Sequence, residues 1–171
     1  MELQGNGFLL RGWHLSDAAS LHRNADNKNI AKYLFDRFPS PYTPQAAEEW
    51  VARWQNQDPL VNFAIIAGDE VIGGVGLEFR QDVYRKTPLM GYWLAEDYWG
   101  KGIMPQAVKL VAAYAFAELD VICILANVFH KNPASMRVLE KAGFAKQGII
   151  RQSAIKHGEI MDEHVYGLTK P

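Results

Sequence analysis

The 171-residue chain predicts an α/β layered fold. Three observations carry that expectation. Apolar, strand-like runs recur at Leu60 to Ala67, Glu70 to Phe79, Leu89 to Ala95 and Val121 to Phe129. Helical patterns follow the third and fourth of these, so strands joined through helices build the layers. The composition, 49% hydrophobic and 22% charged, is that of an ordinary globular chain long enough to bury a sizeable core.

The elements follow in order. Phe8 to Arg11 predicts a short edge strand. Ser16-Asp17 opens a helix that continues through Ala18, Ala19 and Leu21. Phe35 to Tyr42 is aromatic and broken by prolines. Thr43-Pro44 starts a second helix, with Thr43 as cap and Pro44 in first position. Ala47, Trp50, Val51 and Trp54 fall near the spacing of one helical face. Gly68-Asp69 suits a hairpin between the next two strands. Gln106 to Leu119 is helical and apolar on most sides, which calls for burial against a sheet. The continuous apolar content of Val121 to Phe129 marks a central strand. Asn132 caps a short helix from Pro133 to Ala142, and Gly143 stops it. Phe144 to Gln152 and Glu163 to Leu168 are closing strands, with a turn at His157-Gly158. Neither a repeat nor a linker interrupts the chain, so residues 1–171 read as one domain.

The bulk properties narrow the function. A net charge of −1 gives no global reason to bind nucleic acid or a membrane. Residues 86–171 carry 10 Lys/Arg against 8 Asp/Glu, a weak bias towards an anionic ligand in that half. The single cysteine, Cys123, lies in an apolar run; it reads as a buried structural thiol and suits a reducing compartment. The first ten residues lack the pattern of a secretion signal, and no apolar stretch is long enough to cross a bilayer. The expected location is the cytoplasm. The five histidines show no paired metal-ligand spacing, so no metal is expected.

The chemistry concentrates in Tyr98-Trp99-Gly100-Lys101-Gly102-Ile103-Met104-Pro105. This glycine-spaced turn feeds a helix expected to start at Pro105. Such a start leaves backbone N–H groups without internal partners, and the helix dipole adds positive character. The result is a seat for a phosphate or pyrophosphate. A Walker loop would need Ser or Thr after Gly-Lys, but Gly102 stands there. A dinucleotide fingerprint would need a third glycine, but the chain reaches Pro105 instead.

The turn resembles the pyrophosphate loop of the GNAT superfamily of acyl-CoA-dependent N-acetyltransferases, Gln/Arg-x-x-Gly-x-Gly/Ala. Gly102 matches the central glycine, while Trp99 and Met104 depart from the outer positions. The form Tyr-Trp-Gly-Lys-Gly is similar to the ribosomal-protein alanine acetyltransferase (RimJ/RimL-like) branch. Downstream, Asn132-Pro133-Ala134-Ser135 followed by Val138-Leu139-Glu140-Lys141-Ala142-Gly143-Phe144 resembles that branch's second signature. Leu10-Arg11, Pro41-Tyr42-Thr43, Gly91-Tyr92-Trp93-Leu94 and Gly158 to Asp162 are similar as well, so the resemblance runs nearly end to end.

The resemblance implies a mixed, mostly antiparallel sheet of six to seven strands with a central splay and helices on both faces. It implies acetyl-CoA as cosubstrate. Trp93, Leu94 and Ala95 would then offer backbone to the pantetheine arm, with an N–H near Leu94 polarising the thioester carbonyl. Trp99, Gly100, Lys101, Gly102, Ile103 and Met104 would surround the pyrophosphate, where Lys101 is either an added charge or a solvated side chain. Asn132 would cap its helix and line the pantetheine route. Many relatives place a tyrosine acid seven positions after that asparagine, where this chain has Leu139. Ser135 is then the candidate to stabilise the leaving sulfur. The attacking amine must lose a proton. Glu78 is the candidate base, with His130 and Asp82 as rivals.

The resemblance favours a protein or peptide N-terminal amine as acceptor. The alternatives are a small-molecule amine (amino acid, polyamine or aminoglycoside) and a CoA-binding sensor without turnover. Homodimers are common in the branch, so a second copy of the chain is a possible partner.

Overall fold

The computed structural model describes residues 1–171. Its strands are β1 (Glu2–Gln4), β2 (Leu9–Arg11), β3 (Asn62–Ala67), β4 (Glu70–Glu78), β5 (Leu89–Leu94), β6 (Cys123–Phe129), β7 (Ala145–Lys156) and β8 (Glu159–Thr169). Its α-helices are α1 (Ala18–Ala25), α2 (Lys28–Ala31), α3 (Pro44–Trp54), α4 (Ile103–Glu118) and α5 (Pro133–Lys141). The strands hydrogen-bond in the order β1-β2-β3-β4-β5-β6-β8-β7. The fold is the expected α/β one, with eight strands rather than six to seven. The added edge is β1, which sets Leu3 opposite Leu10 of β2. Three residues, two of them polar, are too few to show a strand period.

The chain packs as two compact units, Met1–Gly76 with Tyr92–Ile103, and Leu77–Gly91 with Met104–Pro171. In the first unit, β2, β3 and the start of β4 form an antiparallel sheet. α1 and α3 contribute Leu21, Ala25, Ala47 and Val51 to a core with Trp13, Ala64, Ile66 and Val71. Full burial of one such large aliphatic or aromatic side chain contributes about 1.5–3 kcal/mol. Thr43 caps α3 as its sequence predicts, its Oγ1 accepting the Ala46 N–H at 3.1 Å. Arg11 makes a two-pronged ion pair with Asp17 at 2.8 and 2.9 Å, and Asp17 also accepts the His14 N–H.

Glycine permits one close approach in this unit. A Cβ on Gly73 would stand 2.6 Å from the Trp93 carbonyl oxygen, and one on Gly74 would stand 2.8 Å from Trp93 Nε1. The indole of Trp93 therefore lies against bare β4 backbone. Phe38 packs at a tilt against that same ring, with centroids 5.8 Å apart.

In the second unit, β8 pairs antiparallel with both β6 and β7. β5 joins β6 in parallel with Leu89 opposite Leu125, supported by Leu125 N–H to Pro88 O at 3.1 Å. α4 buries Ala107, Val108, Val111, Ala112, Ala115 and Phe116, as its apolar circumference requires. β7 and β8 run up to the His157-Gly158 turn, well past the predicted ends at Gln152 and Glu163. Register shifts at Lys146/Gly148 and Ile150/Ala154 explain the difference. Each bulge breaks the alternation by which a strand is recognised. No helix is long and apolar enough to cross a membrane.

Candidate functional site

The helix after the glycine turn begins at Ile103 rather than Pro105. Pro105 still falls in the first turn, where a missing N–H breaks no bond within the helix. Gly100 and Gly102 both adopt positive φ, +73° and +75°. This left-handed backbone is strained for other residues, and a Cβ on either glycine would meet nothing within 4 Å. The N–H groups of Gly100, Lys101 and Gly102 make no backbone turn bond. Three successive free donors, two of them on open left-handed glycines, fit a diphosphate.

The residues around the turn are held in particular ways. Trp99 stands where the family pattern has Gln or Arg, and its Nε1–H donates to the Leu94 carbonyl at 2.8 Å. The residue is 46% exposed, so the side chain ties the turn back to β5 while remaining open to solvent. Lys101 Nζ lies 5.1 Å above the Tyr98 ring, a cation–π placement. Met104, bulkier than the family's glycine or alanine, is buried. Its bulk lies within the protein and does not stand out over the loop.

The strand edge ahead of the turn is partly engaged. Leu94 and Ala95 bury their side chains. Ala95 donates its N–H to Ile72 O at 2.7 Å, and Leu94 O accepts from Trp99. The Ala95 amide thus has a β4 partner.

Sequence reasoning did not find Glu96, Asn27 and Asn29. Glu96 accepts from Asn27 Nδ2 at 2.6 Å and from Asn29 Nδ2 at 3.1 and 3.2 Å. These two amides hold its carboxyl below the usual range. The available signal was a carboxylate standing just ahead of a turn expected to bind an anion, where its charge alone would work against the ligand.

The second unit holds the remaining candidates. Asn132 caps α5, its Oδ1 accepting the Ser135 N–H at 3.3 Å. Ser135 is half-buried in the first turn. Leu139, at the position of the family tyrosine, is fully buried. Glu78 ends β4 and is exposed. Asp82 is exposed in a turn with φ +57°.

His130 is placed differently from a free base. Its backbone N–H donates to Asp162 O at 2.9 Å, and its Nδ1 accepts the Asp162 N–H at 3.1 Å. The ring proton therefore sits on Nε2, and the lone pair that a base would use is occupied. Asp162 accepts the Gln152 N–H at 2.8 Å, which holds its carboxyl below the ordinary value. Cys123 is half-buried on β6 rather than fully buried as expected, and burial pushes its thiol up. A raised thiol has little thiolate, so it is not set up as a nucleophile.

The acetyltransferase (GNAT) domain family matches residues 8–145. The probable N-acetyltransferase YjcK of Bacillus subtilis is 34% identical over 176 residues, which cover 99% of this chain and 97% of that protein. The ribosomal-protein-serine acetyltransferase of Escherichia coli is 34% identical over 106 residues, 61% of this chain and 58% of its own. Among solved structures, the ribosomal-protein N-acetyltransferase RimL in complex with coenzyme A superposes with a TM-score of 0.84 at 20% identity, covering 99% of this chain and 98% of that one. A glycine turn with free amides, an α/β sheet of the same shape and a domain match over most of its length lead to one conclusion. The chain belongs to the GNAT acetyltransferase family and is an acyl-CoA-dependent N-acetyltransferase with acetyl-CoA as its cosubstrate.

Proposed function

We propose that this acetyltransferase modifies the N-terminal amine of a protein or peptide in the cytoplasm, and that residues 1–171 act as one domain. The likeness to the ribosomal-protein-serine acetyltransferase supports the acceptor class. One observation carries the cofactor side: the free amides of Gly100, Lys101 and Gly102, two of them on left-handed glycines. In this reading the amides from Gly100 to Met104 hold the diphosphate. Trp93 and Leu94 offer strand backbone to the pantetheine arm, with the Leu94 N–H aimed at the thioester carbonyl. Ala95 fixes the end of that strand through its bond to Ile72. Asn132 caps α5 and keeps its Nδ2 donors for the pantetheine.

The cosubstrate supplies an acetyl thioester. An amine attacks only as the free base, so a carboxylate must take its proton directly or through water. We assign that role to Glu78, the exposed carboxylate ending β4. Of its rivals, His130 has its Nδ1 lone pair engaged by Asp162. The Ser135 hydroxyl donates a hydrogen bond to the departing sulfur. It takes over part of what a tyrosine does elsewhere in the family, since Leu139 is buried.

The test is CoA release with a panel of N-terminal peptides and small amines, with products read by mass spectrometry. Glu78→Gln and Ser135→Ala are expected to lower kcat about 10²-fold or more and about tenfold, respectively, with CoA affinity retained in calorimetry. Turnover with small amines alone would overturn the acceptor class. Unchanged kcat in both variants would overturn the two catalytic assignments. CoA binding without release on any amine would make the chain a sensor.

A further inference from the structure

The turn that carries the free amides is the most permissive stretch of backbone near the site. Gly100 and Gly102 flank Lys101, and no side chain reaches the position of a Cβ on either glycine. A glycine pair does not choose its own conformation, because each samples positive and negative φ with similar ease. The direction of the amides must be set by what holds the flanks.

Two clasps do this in the first unit. The first is Trp99, whose Nε1–H donates to Leu94 O at 2.8 Å and closes the chain over Ala95 to Tyr98. Inside that closure, Tyr98 N–H reaches Ala95 O and Trp99 N–H reaches Glu96 O, both at 3.0 Å. The second clasp is Glu96. Its carboxylate receives Asn27 Nδ2 at 2.6 Å and Asn29 Nδ2 at 3.1 and 3.2 Å. Asn27 is itself fixed, because its Oδ1 accepts the Asn29 N–H at 2.8 Å at the start of α2. The short α2 is thus bonded to the segment that leads into the loop.

The chemistry of the second clasp carries the argument. A carboxylate four residues ahead of Gly100 repels a diphosphate and costs affinity by its charge. Its two hydrogen-bond partners are neutral amides, and Lys32 acts on it only through a weaker charge interaction, so it gains no buried ion pair. All three side chains lie at or near the surface, and none contributes to the core. What the arrangement provides is geometry: two donors on one acceptor fix where the turn begins.

We infer that Glu96, with Asn27 and Asn29, and the Trp99 indole are positioning residues that pre-set the Gly100–Gly102 amides for the diphosphate of acetyl-CoA. This rests on reading that turn as the diphosphate seat. An ordered seat binds without first having to lose backbone freedom, so releasing a clasp weakens binding while leaving the chemical step alone.

Glu96→Ala, Glu96→Gln, Asn29→Ala and Trp99→Phe test this in the full chain. Calorimetry with CoA and with pantetheine, which lacks the diphosphate, reads the seat directly. Glu96→Ala and Trp99→Phe are expected to raise the CoA Kd and the acetyl-CoA KM about tenfold each, and Glu96→Ala is expected to leave kcat at saturation unchanged. Pantetheine affinity is expected to hold in both. Glu96→Gln keeps one accepting oxygen and recovers most of the loss, and Asn29→Ala loses less than Glu96→Ala. Wild-type CoA affinity in both Glu96→Ala and Trp99→Phe overturns the inference, as does a fall in kcat at unchanged KM or an equal loss for pantetheine. Failure of the wild-type protein itself to bind CoA overturns the seat, and the inference with it.

Discussion

The chain opens two helices with the same local signals, and they serve different ends. α4 and α5 each carry a proline in the first turn, and each follows a residue able to end a loop. At α5 that residue is Asn132, whose Oδ1 takes the Ser135 N–H while its own N–H goes to Phe129 O at 2.9 Å. At α4 it is Gly102, with no side chain to offer, and the amides of Gly100, Lys101 and Gly102 are left without backbone partners. A polar cap satisfies a helix start from within, whereas a left-handed glycine start leaves it for an anion. The dipole is present at both helix starts, so it would not decide which one takes an anion. The decision lies in whether the orphan donors are already used.

The comparison breaks first at the packed side of α5. Leu139 is fully buried, and it anchors the helix at the position where the family resemblance implies a tyrosine acid in many members. Leu139→Ala is expected to cost about 2–5 kcal/mol in urea unfolding. Leu139→Tyr, which would restore the family residue, is expected to cost about 1–3 kcal/mol through overpacking, with no gain in kcat. A Leu139→Tyr variant that is stable and faster would show that the site accepts an acid there. The view that α5 is fixed by its buried face would then fail.

The loop side is sharpened by Gly102→Val. A Cβ at this position meets nothing within 4 Å, so the cost comes chiefly from φ +75°, about 1–2 kcal/mol for an L-residue in that region. If the loop relaxes to avoid the strain, the amides turn away, and the CoA Kd is expected to rise about tenfold by calorimetry. An unchanged Kd would mean that these amides are not the seat.

What could be read from the residues follows the same division. Thr43, Asn132 and the Gly100/Gly102 turn were legible because each states a backbone demand within a few residues. The Glu96 clasp was not, since its partners Asn27 and Asn29 lie far back in the chain and α2 is only four residues long. The His130–Asp162 exchange was hidden for the same reason, and it changes His130 from a candidate base into a ring with its lone pair engaged. Ile149 and Ile150, adjacent on the edge strand β7, are both exposed, 40% and 50%. Local chemistry was visible in the sequence, and side-chain pairings between segments far apart in it were not.

The smallest effect separates the two readings of Asn132. As a cap it can be replaced by any side chain that accepts the Ser135 N–H, so Asn132→Ala is expected to cost about 1 kcal/mol and Asn132→Asp almost nothing. The aspartate even suits the positive end of the helix. As a ligand the asparagine needs its Nδ2 donors, which the cap does not use and which aspartate lacks. Asn132→Asp is therefore expected to keep the wild-type Tm while the CoA Kd rises severalfold. If the Asp variant keeps both, Asn132 is a cap alone. The start of α5 is then closed to ligands, and the contrast with α4 becomes complete.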